Sequence, residues 1–246
     1  MHSPPRHRVL QILTTDHRGV RLARLAVGLA AYGQAIALMI HANLGASPWD
    51  VFSQGLSRVT GWSFGLCTLA ISALVLLLWI PLRQKPGLGT VANAVSVGFF
   101  ADLGLAYLPV PDSWWLRTVF FAAGLLLLAF ATAMYVGACL GPGPRDGLMT
   151  GLVARTGRPV WMIRTGIEFV VVVIGFLLGG VVGPGTLAFV LGVGPLTQWA
   201  FSVLRVDLAA HTPAGLLPAG GASGSRTREA QRIGRKAQSR KAALTR

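Results

Sequence analysis

The chain has 246 residues, of which 53% are hydrophobic and only 12% charged, with a mean hydropathy of +0.60 and a formal net charge of +14. So few charged side chains cannot cover a water-soluble globule of this length, which points to an integral membrane protein. The apolar runs are continuous rather than alternating, which excludes a membrane β-barrel and leaves helices.

In chain order, residues 1–21 form a basic N-terminal segment holding Arg6, Arg8, Arg18 and Arg21. The apolar run behind it is longer than the core of a signal peptide, so the segment reads as retained. Crossing about 30 Å of hydrocarbon takes roughly 20 apolar residues of helix. Six stretches meet that length, at about 22–43, 62–81, 88–108, 117–139, 160–180 and 184–205. Arg83 and Lys85 lie in the second loop, Arg145, Arg155 and Arg158 in the fourth, and Arg205 opens the tail. The first loop holds Arg58, the third has Arg117 near Asp112, and the fifth has no base. By the positive-inside rule both termini face the cytoplasm, which agrees with six crossings.

The chain also matches itself at an offset of 96 residues. Leu44-Gly45-x-x-Pro48-x-Asp50 falls on Leu140-Gly141-x-x-Pro144-x-Asp146, Gly55-Leu56 with Thr60-Gly61 falls on Gly151-Leu152 with Thr156-Gly157, and Gly87-x-Gly89-Thr90 falls on Gly183-x-Gly185-Thr186. Laying residues 24–108 on 120–204 gives 24 identities in 85 positions, nine of them in the twenty from Ala42 to Gly61. Such clustering indicates duplication of one unit. Repeat 1 is read as residues 22–108, an extracytoplasmic loop as 109–116, repeat 2 as 117–206, and a disordered basic tail as 207–246. Three spans per copy is an odd number, so the second copy enters the membrane from the other side. The expected fold is therefore all-α and polytopic, a 3+3 inverted repeat of the kind that recurs in transporters.

After its first span each copy carries the same device. Ser47 is placed as an N-cap, Pro48 as the first helical residue and Asp50 three positions past the cap, with Gly61 suited to a left-handed C-terminal position. Gly143, Pro144, Asp146 and Gly157 repeat the pattern. If the first span ends near Asn43, the connector to Pro48 reaches roughly 14 Å at full extension, barely half the hydrocarbon thickness. An interfacial helix is favoured over a re-entrant one on that ground, with Trp49, Val51, Phe52, Leu56 and Val59 as its apolar side. Asp50 and Asp146 read either as plain caps or, with Trp49 and Arg145, as two gates of one path.

Ionisable and polar residues inside spans are the remaining site candidates. Asp102 aligns with Gln198, and Glu168 follows Arg164 by four, the spacing of a structural ion pair. Gln34, His41, Asn93 and Thr132 read as interhelical hydrogen-bonding residues. Gly192-Val193-Gly194-Pro195 predicts a kink or break in the last span, with Gly194 and Pro195 as hinge candidates. Gly175-x-x-x-Gly179 and Ala188-x-x-x-Gly192 are small-residue spacings that allow close helix approach. Cys67 and Cys139 read as buried bystanders; neither disulfide nor metal spacing is present. No cofactor motif is found, and Gly141-x-Gly143 lacks the strand and spacing of a phosphate loop, so no enzymatic role is expected. Eight bases against Glu229 between Pro213 and Arg246 suit contact with anionic lipid headgroups, whereas the lack of interleaved aromatics argues against nucleic acid.

LGASPWD with GLSRVTGWSFG, then KPGLGTVANA, then LGPGPRDGLMTGL, resembles the YczE/YyaS family of bacterial integral membrane proteins, itself similar to the wider YitT group. The resemblance spans about residues 20 to 206 and implies a multi-spanning inner-membrane protein. It implies no substrate and no functional residue. Two functions follow as expectations: a small-solute permease whose path is lined by spans one, three, four and six, or a non-transporting accessory that recruits a cytoplasmic partner through its tail. The bilayer, an unidentified small solute and further copies of the chain are the partners in view.

Overall fold

The computed structural model of the protein describes residues 18–204. Most of the predicted basic N-terminus, and the predicted disordered tail on which the accessory reading rests, lie outside these residues. Among the described residues the chain is all helical, with eight helices: α1 (Arg18–Ala42), α2 (Pro48–Thr60), α3 (Phe64–Leu82), α4 (Leu88–Tyr107), α5 (Trp114–Gly137), α6 (Pro144–Thr156), α7 (Val160–Leu177) and α8 (Pro184–Val203). All but α2 and α6 are long and apolar enough to cross a membrane. The fourth span begins earlier than composition predicts because Ser113 caps it, accepting from Leu116 N at 3.3 Å and drawing Trp114 and Trp115 into the helix.

The two 13-residue helices stand 96 residues apart, as the self-match requires. Each starts at a proline, which loses nothing by lacking an N–H at the first helical position. Each ends on a left-handed glycine, Gly61 at φ 73° and Gly157 at φ 65°. The approach to each is also repeated: Asn43 and Cys139 have φ of 51° and 56°, and Gly45 and Gly141 have φ of 110° and 120°.

α1 and α5 form the centre. They run antiparallel and touch closely, because Gly28 sits on Ala131 and Tyr135 while Gly124 sits on Ala35 and Met39. Leu29, Ile36, Met39 and Leu128 fill the contact between them. α4 flanks α1 and α8 flanks α5. Each short helix then packs on the other half: α2 on α7 and α6 on α3. Backbone bonds lock this exchange, since Gly185 N donates to Leu44 O and Gly89 N donates to Leu140 O, both at 2.7 Å. Thr90 Oγ1 adds a bond to Pro142 O at 2.6 Å.

Several expectations are corrected. α8 runs through Pro195 without a break. Cys139 is exposed rather than buried, because it occupies a left-handed turn just past α5, while Cys67 is buried. Thr132 donates back within its own helix to Leu128 O at 2.7 Å instead of bridging helices. Gly175 does allow a close approach, and the neighbour is Phe52 of α2.

The Gly45 turn yields a direct test. A Cβ there would lie 2.6 Å from Thr186 Oγ1 and 2.8 Å from Gly183 N, on a backbone that L residues avoid. Gly45→Ala is expected to cost roughly 2–4 kcal/mol, strain and overlap together. Gly61→Ala, also left-handed but with nothing within 4 Å, is expected to cost about 1 kcal/mol. Thermal unfolding of the detergent-solubilised variants would compare the two, and equal shifts would contradict the packing argument.

Candidate functional site at the meeting of the two short helices

The N-terminal ends of α2 and α6 come together inside the bundle. Ser47 has extended backbone, φ −61° and ψ 153°, and its Oγ accepts from Asp50 N at 3.2 Å. The same hydroxyl donates to Asp50 Oδ2, folding the carboxylate back over the helix start. Asp50 is only 1% exposed, although carboxylates are among the groups least often sealed from water. Its other oxygen, Oδ1, faces Arg145 Nη2 of α6 at 3.6 Å and accepts no hydrogen bond among the described residues. The Arg145 guanidinium also lies 5.2 Å from the centre of the Trp49 ring, within cation–π range.

The second copy carries Gly143 where the first carries Ser47, so Asp146 has no local hydroxyl. Tyr135 of α5 supplies one instead, donating to Asp146 Oδ2 at 3.1 Å. The Tyr135 ring meets Tyr32 of α1 edge to face at 5.9 Å, and the Asn93 amide lies beside Gly143. Trp79 Nε1 donates to Pro144 O at 3.0 Å and holds the start of α6 from the far side. Asp146 is exposed, whereas Asp50 is sealed.

The candidates Ser47, Pro48, Trp49, Asp50, Pro144, Arg145 and Asp146 therefore converge on one place. The others do not. Asp102 accepts from Gly65 N at 2.7 Å and so caps the start of α3. Gln34 donates to Phe100 O at 2.8 Å as an interhelical tie. Glu168 pairs with Arg164 at 3.1 Å, the spacing predicted for a structural pair. Gln198, Gly194 and Pro195 are exposed on α8. Tyr32 and Tyr135 escape a sequence search because their role depends on α1 and α5 being in contact. The eleven-residue gap between Tyr135 and Asp146, across a turn of known length, is the one signal that could have suggested that pair.

The halves are not in equal states around this site. α3 lies along α4, with Gly65 against Gly98, so that a Cβ on either would strike the other's backbone. Their equivalents in the second copy, α7 and α8, scarcely touch: Trp161 is 66% exposed and a Cβ on Gly194 would meet nothing within 4 Å.

No solved structure matches this chain. It is similar to an uncharacterized protein of Haemophilus influenzae, 35% identical over 191 residues that cover 78% of this chain and 87% of that one. The uncharacterized membrane protein YczE of Bacillus subtilis is 30% identical over 175 residues, 70% of this chain and 81% of that protein. The uncharacterized protein YyaS of the same organism is 29% identical over 168 residues, covering 65% and 82%. Residues 19–202 match the model of the family of unknown function DUF6198, and the chain belongs to that family, as a membrane protein with several spans.

Proposed function

We propose that the protein is a small-solute transporter of the bacterial plasma membrane, built as a 3+3 inverted repeat with both termini in the cytoplasm. It moves its solute between the N-terminal ends of α2 and α6 and performs no bond chemistry. The observation that carries this reading is the inequality of equivalent parts. In the first copy Asp50 is sealed and α3 closes on α4, while in the second Asp146 is accessible and α7 and α8 stand apart. In an inverted repeat, exchanging the conformations of the two halves moves the opening to the other face, which is how alternating access works in this architecture.

The ion pair supports a re-entrant course for both short helices. α1 and α5 have 25 and 24 residues, roughly 36–38 Å each at 1.5 Å per residue. With six crossings the connectors after them leave from opposite faces, yet Asp50 and Arg145 are 3.6 Å apart. Each connector must then dip into the bundle before its helix starts. The non-helical residues 44–47 and 140–143 provide that reach, where composition alone favours an interfacial placement.

The test labels single cysteines with an impermeant thiol reagent and measures solute flux in proteoliposomes. Cysteines in 47–60 and 143–156 are expected to react from opposite faces. Asp50→Asn and Asp146→Asn are expected to slow flux of any transported solute at least tenfold. Labelling of both stretches from one face, or flux unchanged in both variants, would overturn the reading.

A further inference from the structure

Resting on the transport reading, we infer that the site between α2 and α6 takes organic cations carrying a guanidinium or primary ammonium group, with the Arg145 side chain as their built-in stand-in. Three observations converge. The cluster holds two carboxylates, Asp50 and Asp146, against one guanidinium, while Arg164 is already paired to Glu168. The Trp49 face is engaged by a cation, and Tyr135, in edge contact with Tyr32, adds aromatic surface on the Asp146 side of the cluster. Asp50 Oδ1 is buried, aimed at that cation and without a hydrogen bond, because 3.6 Å is too long for one. A buried acceptor left unmet favours a ligand able to donate to it. Arg145 is tethered and reaches only the loose geometry. A free cation can settle closer to Oδ1 while Arg145 swings to the accessible Asp146 beside it in sequence. That exchange is a competition between an internal and an external cation, so arriving solute breaks the bridge holding the two halves together.

The experiment uses guanidinium chloride at millimolar concentration on the full chain in detergent, read by Trp fluorescence and by thermal unfolding midpoint, with sodium chloride and urea as matched controls. In Arg145→Ala the vacated place is expected to bind guanidinium at least tenfold more tightly than in the wild type, because the tethered competitor is gone. Adding Asp50→Asn is expected to abolish that binding. Where Arg145→Ala does not fold alone, Arg145→Gln takes its place. A response to guanidinium no larger than to urea, or one that survives Asp50→Asn, overturns the inference. A wild type that carries small anions and not methylguanidinium in proteoliposomes overturns it too, while leaving the transport reading standing.

Discussion

Gly147→Val on its own is expected to unfold the second half of the bundle, and Trp79→Gly in the same chain is expected to restore much of the loss. The Trp79 ring occupies the space where a Cβ on Gly147 would sit, so a side chain there drives α6 off α3. The cost of the single change is expected at roughly 3 kcal/mol or more, the upper range for overpacking. Trp79→Gly alone removes a 2%-exposed indole and its bond to Pro144 O, with an expected cost of roughly 3–5 kcal/mol. The equivalent contact of α2 with α7 shows how the two changes fit together. There Val51 and Gly175 hold the matching positions, and the glycine on the long helix is the residue with no room: a Cβ on Gly175 would lie 2.8 Å from the Val51 carbonyl carbon. The duplicated unit thus solves one contact twice, once with bulk on the long helix and once with bulk on the short one. Exchanging both residues converts the second solution into the first. Apolar lipid supplies no hydrophobic drive between helices, so the stability of this contact comes from packing itself and is sensitive to shape. The double variant is therefore expected to lose at least 2 kcal/mol less than the sum of the singles. Unfolding measured in detergent for the four proteins decides it, and strict additivity would mean the two contacts are not equivalent.

Much of this architecture is legible from residues alone, for identifiable reasons. Six apolar runs of sufficient length give six of the eight helices, and the 96-residue self-match gives the other two with their caps, because proline, aspartate and left-handed glycine act locally. The start of α2 and α6 as the place of interest follows from the same motif. What the sequence leaves out is partnership. Nothing local says that Asp50 finds Arg145 rather than a residue of its own half, that Asp102 serves the start of α3, or that Tyr135 supplies the hydroxyl that Gly143 lacks. The first of those contacts depends on the exchange by which each short helix docks on the opposite half, and the other two on how neighbouring helices pack within one half. The interfacial preference drawn from the short connector counts reach alone, and the ion pair between α2 and α6, which that reach does not foresee, is what supports the re-entrant course proposed above.

Arg145→Gln is expected to destabilise the protein far more than Asp50→Asn, although the two residues form one ion pair. The surroundings of the partners differ. Removing Arg145 leaves a carboxylate that is 1% exposed, with Ser47 as its sole hydrogen-bond support among the described residues, and an uncompensated buried charge of this kind costs roughly 3–5 kcal/mol. Removing the Asp50 charge leaves a guanidinium that is 25% exposed and next to Asp146, so it keeps water, an alternative carboxylate and the Trp49 face. That change is expected to cost about 1–2 kcal/mol, most of it the weakened cap on α2. The double variant Asp50→Asn/Arg145→Gln removes both charges and is expected to lie within about 1 kcal/mol of Asp50→Asn alone, since neutralising a buried pair together avoids the orphaned charge. Unfolding of the four proteins in detergent at neutral pH measures the cycle. Equal costs for the two singles would show that Asp50 is not sealed as deeply as its burial indicates, and an additive double would show that the two charges do not act on each other. If the asymmetry holds, the bridge is a one-sided latch. It is cheap to open when the aspartate is neutralised and costly when the arginine is lost, so relief of the Asp50 charge, by a proton or a cationic solute, is the economical way to part α2 from α6.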